Sequence, residues 1–167
     1  MFREMRRNKQ QLPHEECVAI LKKNTSGVLA LSGDDGYPYA VPMSYVYQDG
    51  TFYFHSALTG HKVDAVRRSP KASFCVIDQD NVVPEIYTTE YKSVIAFGSI
   101  RELDSEEFLS AIRLLADKYA PLQGDESRET EIQQSMGRFL RLALSVEHLT
   151  GKEGIELTRR REAGHAI

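Results

Sequence analysis

Two Asp-Gly pairs, at positions 35–36 and 49–50, divide the first third of the chain into short stretches rich in β-branched and aromatic residues. Asp-Gly readily adopts the positive φ angles of a tight hairpin turn, and the stretches VLALS, YAVPMSYVY and TFYFHS have strand-like composition. Because each turn reverses the chain within a few residues, neighbouring stretches pair antiparallel. The sequence therefore predicts a β-meander at the start of the fold.

Three further strands are predicted, in KASFCVID, YKSVIAFGSIREL and RFLRLALSVEHL, with Gly98 marking a bulge or bend. Helices are predicted in HKVDAVRR, which ends at a Ser-Pro pair, and in SEEFLSAIRLLADKYAP, which has an apolar stripe after a Ser105 cap. A short helix is predicted before the last strand. About six hairpin-linked strands favour a closed or nearly closed antiparallel barrel, because closure removes exposed sheet edges.

Charge and composition narrow the possible partners. The chain has 21 Lys and Arg against 24 Asp and Glu, a formal net charge of −3, which disfavours nucleic acid. No apolar run is long enough to span a bilayer, and the N-terminal residues lack the apolar core of a signal peptide. Cys17 and Cys75 form no CxxC pair, and the histidines lack the i, i+4 spacing of a zinc hydrolase.

We therefore expect a single cytoplasmic domain over residues 1–167, with a helical segment over 1–24 and a flexible tail over 158–167. The arginine run at 159–161 is expected to be solvated. We expect no metal, no membrane partner and no nucleic-acid partner.

A bend rich in hydrogen-bond donors, FHSALTGHK, lies between the third strand and the first of these helices. A phosphate needs converging N–H or O–H donors with little steric bulk, and it gains from a helix N-terminus and a lysine. Ser56, Thr59, Gly60, His61 and Lys62 offer such groups. From spacing alone, a polar turn whose hydroxyls bond to their own backbone explains the stretch equally well.

The chain resembles the FMN-binding split-barrel superfamily of pyridoxamine 5′-phosphate oxidase-like proteins, and within it the branch related to nitroimidazole-resistance (Nim) proteins. The matching segments are, in order, MRR, GVLALSGDDGYPYAVPMSYVY, FYFHSALTGHKVDAV, TTEYKSVIAFGSIREL and VEHLTGKE. The resemblance implies a mainly β fold with flanking α-helices: an antiparallel six-stranded split barrel of Greek-key type. It also implies a homodimer that binds FMN in two grooves at the subunit interface.

The resemblance also implies which residues contact FMN. The bend would hold the phosphate, and the second strand would line the isoalloxazine ring, although its apolar side chains could equally be core. Pro42 predicts a strand edge or bulge with amides free for a ligand. The subunit opposite the bend would contribute a third segment, in which Lys92 faces away. The predicted contacts are Val41, Pro42, Met43, Ser44, His55, Ser56, Thr59, Gly60, His61, Lys62, Tyr91, Ser93 and Val94.

A last matching block, His148 with Thr150, Gly151 and Lys152, resembles the HxTGK ending of the family. A turn glycine and a solvent-exposed lysine explain these residues at least as well as a ligand role does.

The resemblance implies an FMN-dependent oxidoreductase that reduces a small nitro-aromatic, quinone-like or related acceptor with electrons from a nicotinamide or another reductant. His55 is the candidate catalytic residue, as proton donor or substrate contact, because its titration range suits that task. The alternative is a carrier or sensor of the same fold that binds flavin or haem without turnover. F420 or haem replaces FMN in some related split barrels.

Overall fold

The computed structural model describes residues 1–122, 124, 126, 129–130, 132–133 and 138–164, without the side chains of residues 105, 106 and 108. The strands are β1 (Ser26–Ser32), β2 (Pro38–Ser44), β3 (Val46–Gln48), β4 (Thr51–Ser56), β5 (Lys71–Val83), β6 (Thr88–Glu102) and β7 (Leu140–Glu153). The main helices of the described part are α1 (His14–Lys23), α2 (His61–Arg68), α3 (Ser105–Tyr119) and α4 (Ile155–Gly164). The strands form one sheet in the order β2-β1-β5-β6-β7-β4-β3, and every pairing is antiparallel.

The two edge strands of this sheet, β2 and β3, are consecutive in the chain and are separated only by Tyr45. A sheet whose edges are joined through one residue has to curl round on itself, so it forms a barrel rather than a flat layer. The mainly β, antiparallel split barrel with peripheral helices is therefore confirmed. Among the described residues the sheet has seven strands rather than the predicted six.

The extra strand arises because Tyr45 interrupts the stretch that the sequence analysis treated as one strand. The Tyr45 N–H donates to the Tyr119 hydroxyl oxygen, with N···O 3.0 Å, and to the Thr25 carbonyl oxygen, with N···O 3.2 Å. Both partners lie outside the strands, so regular pairing stops at Tyr45 and resumes at Val46 on the opposite edge of the sheet.

Both predicted hairpin turns are confirmed. Asp35 and Gly36 have φ angles of 52° and 81°, and Asp49 and Gly50 have φ angles of 46° and 80°. Consecutive left-handed residues give the turn the twist that matches the flanking strands, which explains why Asp-Gly occurs at both positions.

The predicted irregularity at Gly98 is also confirmed. The β6–β7 register shifts between Phe97 and Gly98. A Cβ atom at Gly98 would lie 1.9 Å from the carbonyl oxygen of Ser145, so any side chain there would force the two strands apart.

The barrel interior is built around aromatic rings from β4 and β5. Phe52, Phe54 and Phe74 are buried, with ring centroids 4.9–6.2 Å apart, and Tyr45 packs edge-on against Phe74. Such ring pairs each add about 0.5–1.5 kcal/mol beyond the burial of their area. The Tyr45 hydroxyl donates to the Leu21 carbonyl at 2.8 Å, which ties α1 to the barrel.

The prediction of a solvated arginine run is confirmed for Arg159 and Arg160, which are exposed, and is wrong for Arg161. Residues 159–161 lie inside α4, where Arg161 is half-buried and contacts the buried Glu153 carboxylate at 3.2 Å, while Arg160 pairs with Glu90. The end of the predicted tail, residues 165–167, lies outside the described residues, as does most of the short helix predicted before β7. None of the helices in the described part is both long enough and apolar enough to cross a membrane.

Candidate functional site

The predicted phosphate corner is the bend between β4, which ends at Ser56, and α2, which begins at His61. Gly60 precedes the helix with a φ of 119°, a conformation that strains any residue with a side chain. The glycine therefore allows the sharp entry into α2. The first N–H groups of a helix have no partner within it, so this turn presents backbone donors at the bend.

Positive charge surrounds the end of β4. His55 and Arg141 are directly paired residues of β4 and β7, and Lys62 lies close enough for its charge to act on His55. His55 is an exposed residue, but its ring lies beside the Phe139 ring, which covers part of it. The two ring centroids are 6.1 Å apart. This partial burial, followed by the charges of Arg141 and Lys62, lowers the pKa of His55. The corner therefore favours an anion.

The Lys62 ammonium group lies 3.1 Å from the thioether sulfur of Met43. A thioether is a weak acceptor, and partial burial lowers the pKa of Lys62. Among the described residues, Lys62 has no carboxylate within ion-pair distance. The ammonium group is thus held at the corner with most of its hydrogen-bonding capacity unused.

Ser56 points in the opposite direction from His55, toward the barrel interior, where it is 4% exposed. Its Oγ has no hydrogen-bond partner among the described residues. A buried hydroxyl without a hydrogen-bond partner lowers the stability of the fold by about 1–3 kcal/mol. We therefore expect the Ser56 hydroxyl to bond to a ligand or a water.

The other two side chains of the corner are placed differently. The His61 ring stacks on Tyr39, with centroids 4.0 Å apart, and its Nε2 lies 3.4 Å from Asp34. These contacts hold α2 against the β1–β2 turn. Thr59 is exposed at the bend.

The predicted ring-lining segment lies on β2, an edge strand whose register with β1 continues regularly through Pro42. The prediction of a strand edge at Pro42 is confirmed, without a bulge. Pro42 and Ser44 are exposed on the outer face, Val41 is half-buried, and Met43 belongs to the core. The alternative prediction, a core position, is therefore confirmed for the Met43 side chain.

A second group of predicted residues shares the outer face of β6 and β7, and we call it the sheet-face group: Tyr91, Ser93, Thr150 and Lys152. Ser93 pairs with Lys152, whose ammonium group lies 5.5 Å from the centre of the Tyr91 ring. Lys92 points the other way and forms an ion pair with Glu16, which confirms its predicted orientation.

Two other residues of these strands serve the interior. Val94 is 0% exposed in the core, so only its backbone could reach a ligand on the outer face. Gly151 lies within β7 rather than in a turn, and a Cβ atom there would be 2.4 Å from the Cys17 sulfur. Gly151 therefore permits α1 to pack closely on the sheet.

The phosphate corner and the sheet-face group lie near opposite ends of β7. Ser56 pairs with Leu140, and Ser93 pairs with Lys152, twelve residues further along the strand. At about 3.3 Å per residue, this separation is on the order of 40 Å along the strand. The two groups therefore belong to different ends of the same strand.

An apolar area adjoins the sheet-face group on the outside of the barrel, and we call it the apolar face: Val28, Cys75, Ile77, Ile95 and Phe97. Val28, Ile95 and Phe97 are each 38% exposed and Ile77 is 62% exposed. Cys75 pairs with both Val28 and Ile95, so these residues are neighbours on adjacent strands. A contiguous apolar area on a sheet is typical of an interaction surface.

Arg141 is a further residue of the corner that was not predicted from the sequence. It lies opposite His55 and is 3% exposed, and burial lowers its pKa. The available signal was an arginine inside the apolar run LRLAL, because a charged residue at a buried strand position needs a partner or a function.

The family model described as pyridoxamine 5′-phosphate oxidase matches residues 13–153 of the chain. No curated protein sequence matches it.

Several solved structures share the fold. A candidate 5-nitroimidazole antibiotic resistance protein from Bacteroides thetaiotaomicron aligns at 20% identity and a TM-score of 0.72, over 86% of each chain. An FAD-binding protein from Mesorhizobium loti aligns at 25% identity and a TM-score of 0.62, over 86% of this chain and 96% of that one. An FAD- and haem-binding protein from Mycobacterium smegmatis aligns at 19% identity and a TM-score of 0.73, over 87% of this chain and 73% of that one.

Proposed function

The chain belongs to the pyridoxamine 5′-phosphate oxidase family, and we propose that it is a flavoprotein that binds FMN and uses it as an oxidoreductase. The observation that carries the proposal is the Lys62 ammonium group, held 3.1 Å from a thioether at the entrance to α2. A phosphate oxygen is a far better acceptor than sulfur, and charge-assisted bonds of this kind are about twice as strong as neutral ones.

The remaining groups of the corner fit a phosphate ester. The amides at the start of α2 and the unsatisfied hydroxyl of Ser56 supply donors, while Arg141 adds positive charge beside His55. Gly60 leaves room, because a Cβ atom there would meet none of the described atoms within 4 Å. Bulk is therefore absent where the phosphate would enter.

We propose that the working unit is a homodimer in which each flavin lies between the phosphate corner of one subunit and the sheet-face group of its partner. The placement of the two groups near opposite ends of β7 supports this arrangement, since it suits two sites that are shared between two chains. The apolar face supports it as well, because Ile95 and Phe97 continue the outer row of β6 that includes Ser93. A second copy would bury these side chains.

When bound, FMN would supply the redox chemistry, accepting a hydride from a nicotinamide or another reductant and passing electrons to a small acceptor. The chain would anchor the phosphate, fix the position of the ring and exclude water. His55 is the proposed proton donor or substrate contact, because an imidazole can both give and accept a proton. Burial and the charges of Arg141 and Lys62 lower the pKa of His55, which favours its neutral form. A small nitro-aromatic or quinone-like compound is the proposed acceptor.

The proposal is tested by the absorption spectrum of the purified protein before and after FMN is added and the excess removed. We expect two flavin bands with one flavin per chain, and chromatography of the released cofactor distinguishes FMN from FAD and F420. Oxidation of a reduced nicotinamide in the presence of a nitro-aromatic or a quinone then tests turnover. A Soret band, or a protein that retains no flavin, would contradict the proposal. Retained flavin without turnover would favour a carrier or sensor.

A further inference from the structure

A cavity of about 540 Å³ opens beside Tyr91, at the turn of the β5–β6 hairpin. The N-terminal 3-10 turn, Asn8–Gln10, and the start of α4 complete its walls. This volume lies within the range of small-molecule sites in proteins. The cavity is separate from the phosphate corner, which is at the other end of β7.

The cavity walls are mainly aromatic and aliphatic. Tyr87 and Tyr91 contribute two rings, and Val82 and Ile155 contribute aliphatic surface. Tyr87 is 98% exposed and Val82 is 67% exposed. Apolar groups left this open to water are stabilised when a planar ligand covers them, and tyrosine rings favour an aromatic one.

The charged side chain in the described lining of the cavity is positive. Arg7 is the charged residue among the described lining residues, and it has no ion-pair partner in the described part of the chain. Two of the carboxylates near the cavity are already engaged: Glu90 pairs with Arg160, and Glu153 is contacted by Arg161. Lys152 adds a second positive charge 5.5 Å from the Tyr91 ring. An unpaired guanidinium beside apolar walls favours an anionic ligand.

We propose that this cavity binds a small aromatic anion, such as an aromatic carboxylate, with its ring against the tyrosines and its charge on Arg7. Binding itself does not require the flavin. The ligand's role as the electron acceptor rests on the proposed function, because Tyr91 belongs both to the cavity and to the sheet-face group. The substrate class would then be aromatic acceptors that carry a negative charge.

The test uses two probes of the same size, 4-nitrobenzoate and the neutral 4-nitrobenzamide, titrated calorimetrically into the full-length protein with and without FMN. We expect the carboxylate to bind more tightly than the amide. Arg7→Gln should weaken 4-nitrobenzoate about tenfold or more, as for a lost charge-assisted hydrogen bond, and should leave the amide unchanged. Arg6→Gln, which removes the same charge from an exposed neighbour outside the cavity, should change neither.

A second variant tests the aromatic wall. Tyr87→Ala should weaken both probes, and its exposure means that the substitution does not disturb the core. The inference is overturned if neither probe binds, if the two bind equally, or if Arg7→Gln behaves like Arg6→Gln. If the protein retains no flavin yet binds 4-nitrobenzoate through Arg7, the proposed function fails while the cavity assignment stands.

Discussion

His55 and Arg141 lie directly opposite each other on the antiparallel strands β4 and β7. They are 86 positions apart in the chain, so only the pairing of these strands brings them together. With Lys62 acting on the same imidazole, they make the end of β4 electropositive. This cluster is the physical basis for placing a phosphate at the corner.

Replacing Lys62 with glutamine should weaken FMN binding about 10- to 150-fold, the cost of losing a hydrogen bond to a charged group. Fluorescence titration of the apoprotein with FMN measures this change. The control is Lys22→Gln, because Lys22 is an exposed lysine of α1. Equal affinities in the two variants would exclude Lys62 as a phosphate ligand.

Replacing Ser56 with alanine should weaken FMN binding without destabilising the apoprotein. The Ser56 hydroxyl is buried without a described partner, so its removal should leave the melting temperature of the apoprotein unchanged or raise it. The same change should weaken FMN binding about 2- to 10-fold, as for one lost neutral hydrogen bond. Ser32→Ala, at an exposed position, is the control. A destabilised apoprotein with unchanged FMN affinity would show that Ser56 serves the fold alone.

His55 should titrate below its ordinary value of 6.5 in the apoprotein, because burial and two cations disfavour its charged form. A pKa that is lower in the folded state contributes stability above pH 6.5, and this contribution is lost as the pH falls through the folded-state value. NMR titration of the imidazole measures the pKa directly.

Lys62→Gln should raise the pKa of His55, because it removes one of the two nearby positive charges. Lys22→Gln should leave it unchanged. An imidazole that titrates above 6.5 in the apoprotein would contradict the electropositive corner.

Replacing Phe97 with aspartate should dissociate the proposed dimer and release the flavin at the same time, because a charge would lie within the apolar face. Sedimentation velocity and the flavin absorbance of the same sample measure the two effects. Leu122→Asp provides a control at a residue that is 96% exposed elsewhere. A Phe97→Asp monomer that keeps its flavin would show that one chain suffices for binding.

Local sequence patterns predicted most of the barrel, since turn chemistry and strand alternation depend on residues close in the chain. The Asp-Gly turns and the irregularity at Gly98 are examples. The break at Tyr45 was not predictable in this way, because it depends on hydrogen bonding with Tyr119, which lies in α3.

The residues of the candidate site also divide into those that local sequence predicts and those that only tertiary contacts bring together. The bend was recognisable from its own residues, whereas Arg141 joins it only through the pairing of β4 with β7. The contact between His61 and Asp34 likewise forms only because α2 packs against the β1–β2 turn.

The central claim is that each flavin site combines the corner of one chain with the sheet-face group of another, and mixing two defective variants tests it most directly. Lys62→Gln spoils the corner alone, and Ser93→Glu spoils the sheet-face group alone, so neither variant should retain flavin by itself. Each mixed dimer would contain one intact site, formed by the corner of the Ser93→Glu chain and the sheet-face group of the Lys62→Gln chain, and one site that carries both defects. After subunit exchange of equal amounts, random pairing should restore about a quarter of the wild-type flavin. No recovery in mixed dimers verified by sedimentation, or full flavin in Ser93→Glu alone, would contradict the shared site.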